Sequence, residues 1–239
     1  MHAFPLNQTM FHPQREALSG VVRLLTFDVP GVGESAACAV TIDDMADIAA
    51  AVLDANRIER AIVGGVSMGG FAAFAFARRH AGRLRGLILA NTRAAADTED
   101  ARKGRREMAA AALEQGAAEI ASRMLPKLLG ETTHRERPAV VDRVRAIAES
   151  VPGETIAPLL EALANRADST DLLPNIRVPS LVVAGDQDPI APPAEMSQWA
   201  ARVPNARFVT ISGAGHLPNL ETPDEFNTAV REFVEPLAK

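Results

Sequence analysis

The chain has 239 residues, of which 47% are apolar and 23% are charged, as in an ordinary globular protein. Its net charge of −5 argues against binding to nucleic acid, which normally requires a surplus of basic residues. The single cysteine, Cys38, excludes an internal disulfide and a thiolate zinc site, and the longest strongly apolar run, 71–77, is too short to span a bilayer. We therefore expect neither a nucleic-acid nor a membrane partner. The opening residues lack the pattern of a secretory signal, so we also expect a cytoplasmic location.

Short apolar runs alternate with helical patterns in the first part of the chain. Thr41, with Asp44 three residues later, predicts the capped start of a helix that ends near residue 56. A second helix, rich in small residues, follows Ser67. Strand, helix and strand at this spacing predict a parallel sheet with helices on its faces. The strands are predicted at 23–28, 61–66 and 85–90.

The pattern changes after the third of these strands. No convincing strand occurs between residues 93 and 173, where helices are predicted near 98–115, 117–129, 138–150 and 154–166. The alternation then resumes with strands at 178–184 and 207–211, a helix at 193–202 and a last helix. Thr222, with Glu225 three residues later, is the predicted cap of that last helix. We therefore predict an α/β core, 1–92 and 174–239, interrupted by a helical cap, 93–173.

A short glycine-rich motif connects the strand at 61–66 to the helix that follows it. Gly65-Val66-Ser67-Met68-Gly69 fits the pattern G-x-S-x-G, which places a serine on a sharp strand-to-helix turn. The turn needs positive φ at the serine, and side chains two residues away on either side would collide with the neighbouring strand and helix. A nucleotide-binding turn would instead show G-x-G-x-x-G, and that spacing is absent. We interpret Ser67 as a nucleophile.

A serine hydroxyl needs a base, and the base needs an acid that orients it. Of the five histidines, His216 lies in a glycine-rich loop that follows the strand at 207–211, where its ring can project over the end of the sheet. Asp186 and Asp188 both follow the strand at 178–184, so the residues alone leave open which of them is the acid and which is a turn residue.

These motifs, in this order, resemble the α/β-hydrolase fold superfamily, in which nucleophile, acid and histidine follow one another along the chain. A further turn, Pro30-Gly31-Val32-Gly33-Glu34-Ser35, also resembles that family. The resemblance implies an α/β-hydrolase fold with a helical cap inserted after the strand at 85–90. It also implies that Ser67, Asp188 and His216 form a catalytic triad, with Asp186 as a structural neighbour.

His2-Ala3-Phe4-Pro5 resembles the H-G-x-P loop of many members, with Ala3 where glycine is usual. By that resemblance, the backbone N–H groups of Phe4 and Met68 would form the oxyanion hole. Two such donors stabilise a tetrahedral intermediate by several kcal/mol.

Two basic features lie near the start of the predicted cap. Arg93 comes just past the strand at 85–90, where substrates enter enzymes of this family, and it is a candidate for pairing with a substrate carboxylate. The run Arg102-Lys103-Gly104-Arg105-Arg106 could form an anion patch, but acidic residues surround it. We interpret this run as a solvated helix face.

The residues and the resemblance together predict a serine hydrolase of small carboxylic esters or lactones, similar to carboxylesterases and 3-oxoadipate enol-lactonases. No cofactor or metal is expected. The alternatives are a catalytically silent ligand-binding member, a carbon–carbon bond hydrolase or perhydrolase of the same fold, and a metal hydrolase using Asp186, Asp188 and His216. The sequence leaves both a monomer and a homodimer open.

The resemblance also bears on the start of the chain. In the family's order, the first three strands of the sheet have no counterpart here, so the strands at 23–28 and 61–66 would face each other across a gap. An unpaired strand edge in the middle of a molecule is unfavourable. We therefore expect the natural gene product to begin roughly 15–25 residues upstream, enough for about three short strands with their turns.

Overall fold

A computed structural model describes residues 1–38 and 40–238 of the chain. Within them, four parallel strands form one sheet in the order β1-β2-β3-β4. The strands are β1 Ala61–Val66, β2 Leu84–Ala90, β3 Ser180–Gly185 and β4 Ala206–Ile211. All four were predicted from the sequence, with boundaries that differ by at most two residues.

Eleven α-helices surround this sheet in the described part of the chain. They are α1 His12–Ala17, α2 Ile42–Ala55, α3 Met68–Arg79, α4 Glu99–Gln115, α5 Ala117–Leu128, α6 Glu131–Glu136, α7 Pro138–Glu149, α8 Gly153–Ala164, α9 Pro193–Ala200, α10 Pro218–Glu221 and α11 Pro223–Val234. Helices α4 to α8 lie between β2 and β3 in the chain, and we call the segment 93–173 that contains them the cap segment. None of the helices in residues 1–38 and 40–238 is long and apolar enough to cross a membrane.

One of the two predicted helix caps is present and the other is not. At α2, Thr41 Oγ1 accepts the N–H of Asp44 at 3.1 Å, and the Asp44 carboxylate accepts the N–H of Thr41 at 2.8 Å. The predicted cap at Thr222 is wrong, because that hydroxyl points back and donates to the carbonyl of Pro218 at 3.4 Å. The short helix α10 precedes α11 directly, and the carbonyl of its first residue takes the threonine hydroxyl.

The predicted strand at 23–28 is also wrong. These residues belong to no strand, because no strand of the described chain lies beside them to supply hydrogen bonds. They form one wall of a largely apolar cavity of about 550 Å³, and β1 forms the opposite wall. The two segments therefore line the same cavity. An isolated extended segment has no backbone partners, so a short apolar run alone does not make it a strand.

Side chains on the two faces of the sheet enter two separate apolar clusters. Along β3, Val182 and Ala184 pack towards α2, α3 and α9, whereas Leu181 and Val183 pack towards α11 and the helices α5 and α7. The first cluster includes an edge-to-face pair of Phe74 and Trp199, whose ring centroids lie 5.6 Å apart. Because both faces of the sheet are buried, the sequences of the strands are continuous apolar runs rather than alternating apolar and polar residues.

The first residues of the chain pack against the end of β1. The carbonyl of Met1 accepts the N–H of Val66 at 3.2 Å. His2 is fully buried, its Nε2 accepts the N–H of Val29 at 3.2 Å, and its Nδ1 donates to the carbonyl of Ala3 at 3.0 Å. A protonated ring could not accept the N–H of Val29. Burial accordingly lowers the pKa of His2 from 6.5 to about 4.

This histidine should make stability depend on pH. Since the pKa of His2 is lower in the folded protein, the unfolded chain takes up the proton first, and the free energy of unfolding should fall as pH drops from 6.5 towards 4. His2→Gln keeps an acceptor for Val29 and should remove this contribution, which is on the order of 3 kcal/mol. Urea unfolding of both proteins between pH 7 and pH 4 measures the difference. His12→Gln, at an exposed position, is the control and should keep the wild-type slope.

Candidate active site

Four loops meet at the carboxyl edge of the sheet, one from each strand. Ser67 follows β1, Asn91 follows β2, Asp188 lies three residues past β3, and His216 lies in the loop after β4. Because parallel strands present their carboxyl ends at one edge, residues far apart in the chain come together there.

The turn that holds Ser67 is as strained and as crowded as the motif predicts. Ser67 has φ 54°, in the left-handed region. A Cβ on Gly65 would lie 2.0 Å from the backbone carbon and oxygen of Gly69. A Cβ on Gly69 would lie 2.1 Å from the carbonyl oxygen of Met1. Glycine at these two positions therefore allows β1, α3 and the opening loop to approach one another closely enough to present the serine.

The hydroxyl, the imidazole and one carboxylate form a continuous chain of hydrogen bonds. His216 Nε2 lies 2.7 Å from Ser67 Oγ, and His216 Nδ1 lies 2.7 Å from Asp188 Oδ2. His216 is 2% exposed and Asp188 is 4% exposed. An ionised Asp188 accepts only, so Nδ1 carries the proton and donates to it. Nε2 is then free to accept the proton of the Ser67 hydroxyl.

Several groups hold the Asp188 carboxylate in its ionised form. Burial by itself raises the pKa of Asp188, but the electrostatic attraction and hydrogen bond of the His216 ring and the hydrogen bonds of Asn91 and Ala191 bring it below the ordinary value. Asn91 Nδ2 donates to Oδ2 at 2.7 Å, while the N–H groups of Ile190 and Ala191 donate to Oδ1 at 2.7 and 3.1 Å. The carboxylate is thereby fixed in orientation as well as in charge.

A second buried carboxylate, that of Glu221, holds the histidine loop. Its Oε1 accepts the N–H groups of Gly215 and Leu217, on either side of His216, at 2.9 and 3.0 Å. Its Oε2 accepts the N–H of Gly130 and the hydroxyl of Thr133, both in the cap segment, at 2.7 and 2.8 Å. Glu221 is 2% exposed. This side chain therefore fixes the His216 loop to the junction of α5 and α6.

Asp186, the other aspartate after β3, lies outside the serine–histidine group. Its carboxylate accepts the hydroxyl of Ser212 at 3.1 Å and the N–H of Gly213 at 2.8 Å, so it holds the start of the loop after β4. In residues 1–38 and 40–238, no cluster of three or more His, Cys, Asp or Glu side chains is arranged to hold a metal ion.

A small cavity of about 70 Å³ opens beside the Ser67 hydroxyl. Apolar side chains of Phe4, Phe71 and Met124 form part of its wall, and Phe4 is 3% exposed. Met68 is the first residue of α3, where a backbone N–H has no partner within the helix. Of the two residues predicted to supply the oxyanion hole, Phe4 lines the same cavity as Ser67 and Met68 directly follows Ser67 in the chain.

The cap-segment side of the same cavity carries charge. Its charged lining residues are Arg93, Asp97, Arg105 and Arg166. Arg93 was predicted near the substrate and lies in this wall, where one of its terminal nitrogens is 3.8 Å from Glu195. Arg105 departs from the expected solvated helix face, because it turns towards the cavity and pairs with Asp97. Arg102, one turn earlier in α4, pairs with Glu99 at 3.0 Å.

Comparison with known proteins shows the family of this chain. A family model described as alpha/beta hydrolase fold matches residues 1–223. The chain belongs to this family. Among curated proteins, this α/β hydrolase is 28% identical to 3-oxoadipate enol-lactonase 1 of Acinetobacter baylyi over 227 residues, 95% of this chain and 84% of the relative.

Solved structures show the same family relationship. A malate-bound thermophilic esterase from Thermogutta terrifontis is 40% identical to this α/β hydrolase, with a TM-score of 0.97 over 100% of this chain and 89% of the other. The enol-lactonase from Burkholderia xenovorans LB400 is 31% identical, with a TM-score of 0.89 over 98% and 88% of the two chains. The predicted family and fold class are confirmed, and so is the prediction that the chain is an enzyme of the hydrolase class.

Sequence reasoning missed several residues that the structure of this α/β hydrolase brings to the site. Asn91 could have been found, because it directly follows a predicted parallel strand, as Ser67 does. Glu221 lies between Leu220 and Thr222 and belongs to no motif that the sequence shows. Asp97 and Arg166 are 69 residues apart in a helical region, and no spacing rule connects them.

The elbow of this α/β hydrolase should not tolerate a methyl group at Gly65. In Gly65→Ala, the new Cβ would meet the backbone at Gly69, so we expect a loss in the free energy of unfolding of about 3 kcal/mol or more. Gly104→Ala is the matched control, since nothing lies within 4 Å of its Cβ position in α4. That variant should gain about 0.5–1 kcal/mol from helix propensity. Equal stability of the two variants in urea unfolding would contradict the crowding argument.

Proposed function

We propose that this α/β hydrolase cleaves a small carboxylic ester or lactone through an acyl-enzyme on Ser67. The observation that carries the proposal is the unbroken chain of 2.7 Å contacts from Ser67 Oγ through His216 to Asp188, which opens on a cavity. A serine hydroxyl in a purely structural role has no need of an oriented imidazole and a buried carboxylate behind it.

The geometry supports the following reaction. Ser67 Oγ attacks the carbonyl carbon while His216 Nε2 takes its proton, and Asp188 stabilises the imidazolium that results. The carbonyl oxygen becomes an oxyanion, which the backbone N–H groups of Phe4 and Met68 stabilise. His216 then returns the proton to the leaving oxygen as the carbon–oxygen bond breaks. Water, activated by the same imidazole, releases the acid and restores Ser67.

The proposed substrate class rests on the size of the site and on the relatives. A cavity of about 70 Å³ beside the nucleophile favours a short acyl group over a long chain. The similar proteins include an enol-lactonase and an esterase. Both a cyclic ester and an open-chain ester are therefore supported as substrates. No step needs a group other than side chains, backbone N–H groups and water.

Replacement of the proposed nucleophile tests the mechanism directly. Ser67→Ala should lose hydrolysis of 4-nitrophenyl acetate by about a thousandfold or more and should no longer be labelled by a fluorophosphonate probe. Circular dichroism should remain that of the wild type, because an alanine fits the same turn. Ser19→Ala, an exposed serine far along the chain from the site, is the control and should retain both activity and labelling. Labelling that persists in Ser67→Ala would refute the proposal.

The role of Asn91 gives a second test. Asn91→Ala removes the 2.7 Å hydrogen bond to Asp188, so the carboxylate should orient His216 less well. We expect kcat for 4-nitrophenyl acetate to fall about tenfold or more, the effect of one hydrogen bond to a charged group, with a smaller change in KM. Asn165→Ala, on the exposed end of α8, should leave both constants unchanged. An unchanged kcat in Asn91→Ala would show that Asp188 does not depend on this amide.

A further inference from the structure

The backbone of the loop that carries His216 is bound to the cap segment and to Glu221. The N–H of His216 donates to the carbonyl of Leu128, at the end of α5, at 3.1 Å. The N–H groups on either side of it, at Gly215 and Leu217, donate to Oε1 of the buried Glu221. Each residue has a single backbone N–H, so all three donors of this stretch are taken by two acceptors. The position of the imidazole ring therefore depends on where Leu128 and Glu221 lie.

The cap segment in turn fixes Glu221. Oε2 of this carboxylate accepts the N–H of Gly130 at 2.7 Å and the hydroxyl of Thr133 at 2.8 Å, both near the junction of α5 and α6. Glu221 is 2% exposed and Thr133 is fully buried, so solvent does not supply other donors. A buried carboxylate oxygen without donors is strongly unfavourable. The carboxylate therefore follows the α5–α6 junction, and the backbone on either side of His216 follows the carboxylate.

Close packing of two backbones adds the same constraint. A Cβ on Gly215 would lie 2.3 Å from the backbone nitrogen of Gly130 and 2.6 Å from the carbonyl carbon of Leu129. A Cβ on Gly130 would lie 2.8 Å from the backbone nitrogen of Gly215. No side chain separates the histidine loop from the α5–α6 junction here, so the junction cannot move towards the loop without displacing it.

The imidazole of His216 tolerates little displacement, because it has a partner on each side. Nε2 lies 2.7 Å from Ser67 Oγ, and Nδ1 lies 2.7 Å from Asp188 Oδ2. A shift of about 1 Å would take either contact outside the range of a hydrogen bond, and misplacement of this size lowers a rate about a hundredfold. Glu221 and Thr133 do not line the cavity beside Ser67, so neither touches a substrate bound there.

We propose that Glu221 is a positioning residue for His216, and that Thr133 acts through it from the cap segment. This inference rests on the proposed function and names the part of the cap segment that controls it, the α5–α6 junction at residues 128–133. The junction fixes the carboxylate, and the carboxylate fixes the backbone on both sides of His216. That backbone fixes the distance over which Nε2 takes the proton of Ser67 and returns it. A change at the junction should therefore alter the rate without any contact with the substrate.

Thr133 gives the mildest test, because two replacements separate its hydroxyl from its shape. Thr133→Val keeps the shape and removes the hydroxyl, whereas Thr133→Ser keeps the hydroxyl. With 4-nitrophenyl acetate, kcat of Thr133→Val should fall about tenfold, as for a lost hydrogen bond to a charged group, with little change in KM. Thr133→Ser should keep nearly the wild-type kcat. Acylation and deacylation both pass through His216, so kcat falls whichever step limits the rate, and labelling by a fluorophosphonate should slow as well.

Thr155→Val is the matched control. Thr155 is also a buried threonine of the cap segment, but its hydroxyl donates to the carbonyl of Gly31 at 2.9 Å rather than to Glu221. Urea unfolding should show a loss of stability in Thr155→Val as in Thr133→Val, while kcat of Thr155→Val should stay at the wild-type value. A purely structural role for Thr133 would lower the stability of both variants and leave both rates unchanged.

Replacement of Glu221 tests whether the hydroxyl acts through the carboxylate. In Glu221→Gln, one oxygen becomes an NH2 group, which cannot accept from the donors that face it. We expect kcat to fall about a hundredfold, as for two lost hydrogen bonds to a charged group, with little change in KM. Thr133→Val should then have a much smaller effect in Glu221→Gln than in the wild type. Equal effects in the two backgrounds would show that the hydroxyl acts by another route and would overturn the proposal.

The outcomes separate this inference from the function on which it rests. If the wild type is labelled at Ser67 by a fluorophosphonate, but Thr133→Val and Glu221→Gln keep its labelling rate and kcat, the positioning role is wrong and the nucleophile stands. An equal loss of kcat in Thr133→Val and Thr155→Val also overturns it. If Glu221→Gln does not fold, the three threonine variants decide by themselves. If the wild type is not labelled at Ser67, the proposed function fails, and the inference fails with it.

Discussion

A close contact between glycines is the constraint on which the whole site depends. Ser67 can stand at positive φ at the edge of the sheet only because the backbones at Gly65 and Gly69 approach to distances that exclude a side chain. At the same Gly69, the carbonyl oxygen of Met1 also comes too close to leave room for a side chain, so the opening loop that carries Phe4 lies against the start of α3. The position of the hydroxyl and the position of one proposed oxyanion donor therefore have a common steric origin.

Two buried carboxylates then fix the rest of the site around that serine. Asp188 orients the imidazole, and Glu221 holds the backbone on both sides of it while it also binds the cap segment. A buried carboxylate is costly unless its oxygens are satisfied. Asp188 accepts from two side chains and two backbone N–H groups, and Glu221 accepts from three backbone N–H groups and one hydroxyl. Because Glu221 contacts loop and cap together, movement of the cap segment relative to the sheet would disturb the histidine.

The predictions from sequence succeeded where a pattern is local or repeats along the chain. The four strands and the turn at Ser67 were predicted because burial, period and glycine spacing act over a few residues. The prediction of a strand at 23–28 was wrong because a strand also requires a neighbouring strand to pair with. Residues of this segment line a cavity instead. The predicted cap at Thr222 is absent because the short helix α10, which the sequence does not reveal, ends immediately before this threonine. Its hydroxyl donates to the carbonyl of Pro218 in α10 instead.

By itself, the sequence determined the family, the α/β order of elements and the residues of the serine, histidine and aspartate motifs, since each lies in a short stretch with a characteristic local geometry. It left Asp186 and Asp188 equivalent until the resemblance distinguished them, and in the structure only Asp188 contacts the imidazole. Only the tertiary structure brought Asn91 to Asp188, Glu221 to the histidine loop, and Arg166 to Asp97 beside the nucleophile. Asn91 and Asp188 are 97 positions apart, Asp97 and Arg166 are 69 apart, and Glu221 also binds Gly130, 91 positions away. These contacts follow from how the strands pair and how the cap segment packs on the sheet, and no local pattern encodes that packing.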